Sequence, residues 1–396
     1  MENFRYYTPT EIVFGKGREK QVGKLVRKQN CKKVLVHYGS GSAKRSGLLD
    51  RIFASLDDAG ISYVSLGGVV PNPHLSKVYE GIELARKEEV DFILAVGGGS
   101  VIDSSKAIAY ALANPDVEDV WDFYCGKAIA RACAPVGVVL TIAAAGSETS
   151  NSSVITKEEG WLKRGYNNDV SRPKFAIMNP ELTYTLPAYQ TASGCVDIMM
   201  HTMERYFQPA KPMDITDGMA EALLRNIMHY LPIALAQPDN YEARAEIMWC
   251  GSLSHIGLMS LGGKGGDWSC HQLEHELGGM FDVAHGAGLA AVWGSWARHV
   301  YRELPERFAR FATAVMGVTP GANDEETILR GIAAFEDFLH SVNMPASLTE
   351  LGVSPTEEQI KELARKCSHD GTRCIGMEGI KPLNMDDMEA IYRAAY

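Results

Sequence analysis

Asp197 and His201 stand four residues apart in GCVDIMMHTMERYF, and His271 and His275 repeat that interval in DWSCHQLEHELGG. On a helix, side chains at i and i+4 leave one face about one turn apart, so each pair aims two donors at one point. His285 follows in VAHGAG, a segment that reads as a loop. A single helical histidine is usually structural, whereas four of eleven histidines combined with an acid in paired spacing form a ligand set. Nitrogen and oxygen donors without a thiolate suit a catalytic Fe(II) or Zn(II) ion, since closed structural zinc sites normally use cysteine. Five candidates exceed a tetrahedral requirement. The fifth is available for proton transfer, a role that suits a histidine one turn from a ligand.

A second chemistry is written in glycine. Gly97-Gly98-Gly99-Ser100 follows the apolar run DFILAV and opens a helical pattern, so bare backbone N–H groups and a positive helix end face an incoming anion. This is a pyrophosphate cradle; it lacks the G-x-G-x-x-G spacing but has the strand–glycine–helix context such a site needs. Asp103, one turn into the helix, is placed to reach a cofactor amide or ribose, or to complement the helix dipole. Gly39-Ser40-Gly41-Ser42 makes a similar turn after KKVLVHY. It holds no Asp or Glu for a ribose 2'-hydroxyl, while Ser40, Ser42, Lys44 and Arg45 can receive a 2'-phosphate, which favours NADP(H) over NAD(H).

His271-Gln272-Leu273-Glu274-His275 also fits H-x-x-E-H, a zinc peptidase motif in which both histidines bind metal and the glutamate is the base. A peptidase has no use for two glycine turns or for Asp197 and His201, and five-residue patterns recur by accident.

These residues need a scaffold. In the first half, short apolar runs ending in Gly or Pro alternate with amphipathic stretches: KKVLVHYGSG, SGLLDRIFASLDDAG, ISYVSLGGVVPNP, SKVYEGIELARKEE, then DFILAV with its glycine turn and helix, and APVGVVLTIAAAG. That rhythm predicts βα units and a parallel sheet flanked by helices. From about Pro187 long helical patterns take over, such as YEARAEIMWCGSLSHIGLMSL and DEETILRGIAAFEDFLHSV. The glycine pair Gly278-Gly279 is expected to end the helix of His271. The prolines bracketing NPELTYTLP mark an extended boundary, giving an α/β domain over 1–183 and an all-α domain over 184–396.

With 396 residues, 46% hydrophobic and 22% charged, the chain is a folded protein of two or more domains. A net charge of −10 without a dense basic run excludes nucleic acid as the main partner. The opening MENFRYYTPTEIVFGKG has no signal-peptide pattern, no apolar stretch approaches membrane-spanning length, and the eight cysteines lack a framework spacing. A cytoplasmic protein with reduced thiols is expected.

Taken in order, PTEIVFGKG, YGSGSAKRSG, VVPNP, AVGGGSVIDSSKA, VLTIAAAGSE, NPELTYTLP, GCVDIMMH, GDWSCHQLEHEL and AHGAGLA resemble the iron-containing (group III) alcohol dehydrogenase family, in its butanol dehydrogenase-like, often NADPH-dependent branch. The resemblance spans essentially the whole chain. It implies a Rossmann-like dinucleotide-binding domain, a helical metal-binding domain of the dehydroquinate synthase-like fold, an active site in the cleft between them, and a homodimer. It implies hydride transfer between a nicotinamide and a small primary alcohol or aldehyde. Asp197, His201, His271 and His285 are then the metal ligands, and His275 lies beside substrate and nicotinamide. The cofactor contacts it implies are Gly39, Gly41 and Ser42 at the adenosine phosphate, Asn72 nearby, Gly98, Gly99 and Ser100 at the pyrophosphate, and Asp103, Thr141, Ser150, Lys163 and Leu182. Ala145 and Ser150 depart from the Thr and Asn that many relatives carry there, and Trp268 is a candidate wall of the substrate pocket. A dehydroquinate synthase-like lyase is the nearest other enzyme class but would need a basic cluster at the metal; a scaffold without chemistry would not need an intact ligand set and two glycine turns.

Overall fold

The computed structural model describes residues 1–209, 213–376 and 380–396. The chain divides into two compact units, Tyr7–Thr185 and Leu186–Tyr396, the latter joined by Met1–Tyr6. Those first six residues therefore pack with the second unit, not with the α/β unit in which the sequence places them.

The strands of the first unit are β1 (Glu11–Phe14), β2 (Lys33–Gly39), β3 (Ser62–Val69), β4 (Phe92–Gly97), β5 (Val136–Leu140), β6 (Ser152–Lys157), β7 (Leu162–Asn167) and β8 (Phe175–Met178). Its helices are α1 (Val22–Arg27), α2 (Ser42–Arg45), α3 (Leu48–Asp58), α4 (Leu75–Lys87), α5 (Gly99–Ala113) and α6 (Trp121–Tyr124). Six strands form one parallel sheet in the order β1-β8-β5-β4-β2-β3. Every residue of β4 and β5 is buried, because crossover helices cover a parallel sheet on both faces and its central strands are apolar without alternation. Leu48, Ile52 and Leu56 of α3 pack with Val34, Val36, Leu94 and Val96 in one core. Since neighbouring strands run the same way, the C-terminal ends of β3, β2, β4, β5 and β8 lie side by side, the edge at which open α/β sheets take ligands.

Two features depart from the sequence reading. The antiparallel hairpin β6–β7 has no clear sequence signal, being short and largely polar. Asn179–Pro187 is not extended: Pro180–Thr183 is a 3-10 turn, capped by the Asn179 side chain, which accepts the Glu181 N–H at 3.1 Å.

The second unit is built from α7 (Ala188–Tyr206), α8 (Asp214–Ala236), α9 (Tyr241–His255), α10 (Ser269–Phe281), α11 (His285–Val300), α12 (Pro305–Arg310), α13 (Asp324–Ser341), α14 (Leu348–Leu351), α15 (Glu357–Cys367) and α16 (Met385–Ala395). Among the described residues it contains no strand beyond a single bridge between Ile375 and Leu383. Three sequence expectations are corrected. The pattern from Tyr241 is not one helix: α9 stops at His255, and Gly257, at φ 87°, turns the chain into a short 3-10 segment. α10 runs through Gly278-Gly279, both buried, and stops only where Asp282 takes φ 51°. His285 is not in a loop but is the first residue of α11. No described helix is long and apolar enough to cross a membrane.

Candidate metal centre and nucleotide cradle

α7 is buried along most of its length, which lets it carry Asp197 and His201 into the interior of its unit. The His201 ring sends Nδ1 to its own helix, 2.9 Å from the Asp197 carbonyl. A carbonyl only accepts, so Nδ1 holds the proton and Nε2 keeps its lone pair. Asp197 Oδ1 lies 3.0 Å from the same Nδ1, but that proton goes to the carbonyl, and Oδ1 is left buried without a hydrogen bond.

α10 delivers His271 opposite. Its approach is tight: Asp267 N–H donates to the Glu204 carbonyl at 2.8 Å, and a Cβ on Gly266 would meet that oxygen at 2.7 Å. Trp268 then takes φ 64°, unusual for a bulky residue, and α10 begins. His271 Nδ1 is hydrogen-bonded to the Glu204 carboxylate, which turns Nε2 towards Asp197; Nε2 too is buried without a hydrogen bond, 3.6 Å from Asp197 Oδ1. One donor atom from each of Asp197, His201 and His271 lies within 4.8 Å of the others. His285, at the start of α11, lies outside this three-residue group but close to it, with Nδ1 on the Glu274 carboxylate and Nε2 3.7 Å from Asp197 Oδ1.

The electrostatics suit a cation. Burial opposes the charge on Asp197, yet His201 and His285 outweigh it and hold the carboxyl well below its usual range. Burial also works against a charged His271, but Glu204 and Asp197 prevail and its pKa stands at about 9. His201, more simply buried, is pushed down. Two unsatisfied buried atoms facing each other among imidazoles are what a divalent ion would satisfy, and N/O donors without thiolate fit Fe(II) or Zn(II).

His275, half-buried one turn beyond His271, stands apart from that cluster: its ring centre is 6.4 Å from that of His271 and 6.0 Å from that of His285. Glu274 is fully buried and bound to His285. The H-x-x-E-H peptidase reading, with both histidines on the metal and Glu274 as base, does not fit this geometry. Around the cluster lie three residues the sequence reading did not single out. Glu204 falls seven after Asp197, on the same face of α7, a spacing that could have flagged it. Arg205 Nη1 donates to the His201 carbonyl at 2.8 Å, Nη2 meets His255 Nδ1 at 3.0 Å, and the guanidinium lies 4.4 Å over the Trp268 ring. His255, its ring 4.2 Å from His201, comes from the end of α9 and has no sequence signal.

In the first unit the two glycine turns end adjacent strands. Tyr38 pairs with Val96, and Gly97 with Leu140, so Gly39–Ser42, Gly98–Ser100 and Thr141 share the C-terminal edge of the sheet. Thr141 N–H donates to the Gly97 carbonyl at 3.0 Å. Asn72 follows β3 and Leu182 follows β8 on the same edge. No side chain caps α5, and a Cβ on Gly98 would press on Ile142 at 3.1 Å, so glycine keeps both the backbone approach and the helix end open to an anion. Gly99 faces Ala145, whose Cβ would lie 3.3 Å from an added one.

Asp103 is already engaged: Oδ1 accepts from Ser147 at 2.5 Å, and Oδ2 from Val154 N–H at 3.0 Å. Lys106, one turn on and fully buried, donates to the carbonyls of Ser147, Ser150 and Ser152 at 2.8–3.0 Å, and burial pulls its pKa down to about 8. Together they clamp the 143–152 loop and the β6–β7 hairpin, which carries the buried Lys163, onto α5; Ser150 is fully buried inside this clamp.

The chain belongs to the iron-containing alcohol dehydrogenase family: residues 9–180 match iron-containing alcohol dehydrogenase and residues 191–396 its C-terminal part. It is thus an NAD(P)-dependent oxidoreductase of the alcohol-oxidising kind. It is 36% identical to NADH-dependent butanol dehydrogenase A of Clostridium acetobutylicum, with all of both chains covered. To the NADPH-dependent aldehyde reductase YqhD of Escherichia coli it is 35% identical, again over all of both chains. Among solved structures it resembles NADH-dependent butanol dehydrogenase A of Thermotoga maritima at a TM-score of 0.94 and 39% identity, covering 100% of this chain and 99% of that one.

Proposed function

We propose that this protein reduces small aldehydes and oxidises the corresponding primary alcohols, with NADP(H) preferred over NAD(H), on one Fe(II) or Zn(II) ion held by Asp197, His201, His271 and His285. The observation that carries the reading is the pair of buried, unsatisfied atoms Asp197 Oδ1 and His271 Nε2, 3.6 Å apart among imidazoles. When bound, such an ion polarises the substrate oxygen, and the nicotinamide gives or takes the hydride. His275 takes the hydroxyl proton during oxidation and returns it during reduction; its place one turn from His271, with ring centres 6.4 Å apart against 5.2 Å for His271 and His285, supports that role. Trp268 walls the site on the side of His201 and His271.

Gly39, Gly41, Ser42 and Asn72 are proposed to hold the adenosine end, Gly98, Gly99 and Ser100 the pyrophosphate, and Asp103, Thr141, Ser150, Lys163 and Leu182 the remainder. The NADP(H) preference is supported by exposed Ser42, Lys44 and Arg45 in a turn without an acid, although relatives of both preferences exist. A cytoplasmic homodimer is the proposed setting, supported by eight cysteines without a disulfide and by β1, an open edge of the sheet.

The test is nicotinamide absorbance during anaerobic incubation of the Fe(II)- or Zn(II)-loaded protein with butanal and each cofactor. Metal-dependent turnover, faster with NADPH, is expected. Faster NADH use overturns the cofactor preference alone, and no turnover with several aldehydes and both metals overturns the reading.

A further inference from the structure

We infer that Glu204 and Glu274 are positioning residues of the metal centre, each carried by one helix and bracing the histidine ligand of the next. The inference rests on the ligand assignment proposed above. Glu204 belongs to α7, with Asp197 and His201, but its carboxylate faces α10: Oε1 accepts the His271 backbone N–H at 3.1 Å and Oε2 bonds His271 Nδ1. It thereby caps α10, whose own N-cap residue supplies no side-chain bond, and orients the ring that α10 carries. Glu274 belongs to α10, with His271, and its carboxylate reaches His285 Nδ1 at the start of α11. The braces run in series, α7 to α10 to α11.

Both carboxylates are buried, at 1% and 0% exposure, and neither joins the Asp197–His201–His271 cluster. Such burial is costly unless each charge is paired. Two consequences follow for an ion at the centre. Each imidazole is locked with Nδ1 protonated and Nε2 inward, so no ring reorientation accompanies binding. Three buried carboxylates, Asp197 directly and Glu204 and Glu274 from behind the rings they bind, would also balance one divalent charge, and the outer two would raise the donor strength of their rings. The space for this is reserved on α11: a Cβ on Gly288 would meet Glu274 Cγ at 2.9 Å.

The test measures Zn(II) affinity of the metal-stripped full chain by chelator competition at neutral pH, with the Co(II) absorption spectrum and the melting temperature of the metal-free form. Glu204→Gln and Glu274→Gln keep an acceptor for Nδ1 but lose the charge; each should weaken Zn(II) by about 10- to 100-fold, shift the Co(II) bands and leave metal-free melting close to wild type. Glu274→Ala should weaken it further. Gly288→Ala, which displaces Glu274 without deleting it, should act in the same direction and serves if a glutamate variant does not fold. Wild-type affinity in both Gln variants, while His271→Ala has lost the metal, overturns the inference and leaves the ligand assignment standing. Wild-type affinity in His271→Ala overturns both.

Discussion

Among the histidines, the two proposed roles, ligand and proton carrier, make different mutational predictions. His271→Ala removes a donor whose Nε2 already points at Asp197, and metal content after purification should fall to background. His275→Ala should keep its metal while turnover falls by about 100-fold or more, the usual range for losing a general acid–base; a metal-free His275→Ala protein would place that ring among the ligands instead. The i,i+4 spacing made the meeting of Asp197 and His201 readable from sequence, because helical geometry alone brings those two side chains together. Glu274 shows where such reading stops. It lies three after His271 and one before His275, and the pattern does not say that it bonds His285, the first residue of a helix whose start the sequence does not announce.

At the level of elements, strand content was legible wherever helices cover both faces, since DFILAV and PVGVVL have little to be but buried parallel strands. Helix ends were less so. Gly278-Gly279 has the composition of a stop, but both residues are buried and α10 continues because packing outweighs the local preference of glycine. One strand carries a pH liability. His37 in β2 is fully buried, with Nδ1 donating to the Leu66 carbonyl at 3.0 Å and Nε2 accepting from Ser104 at 2.9 Å, and burial lowers its pKa to about 4. An unfolded chain takes up this proton near pH 6.5, whereas the folded unit resists until about 4, so stability falls as the pH drops through that window, by about 3 kcal/mol in all. The melting temperature of His37→Gln should therefore fall less on acidification over the same window than that of wild type; equal slopes would show that His37 does not set the acid limit.

For the molecule as a whole, the cysteines report how the chain is closed to solvent. Cys125 and Cys374 are exposed; Cys31 and Cys133 are half-buried, with burial pushing their thiols up to about 11 and about 12; Cys195, Cys250, Cys270 and Cys367 are buried. A disulfide reagent at mildly alkaline pH should titrate two thiols promptly and the others only after denaturation. Because the raised thiols stay neutral in the fold while unfolded ones ionise near 9, stability should also decline as the pH rises from 9 towards 11. The six leading residues carry a different consequence. Glu2 N–H donates to the Gly262 carbonyl at 2.7 Å, so the chain starts in the helical unit, leaves at Tyr7 and returns at Leu186. Topologically the nucleotide-binding unit is an insertion in the helical one, tethered at both ends, and a cut at Leu186 does not release the helical unit whole. Expressed alone, that unit would have to be a permutant or a splice that keeps Met1–Tyr6 beside Gly262.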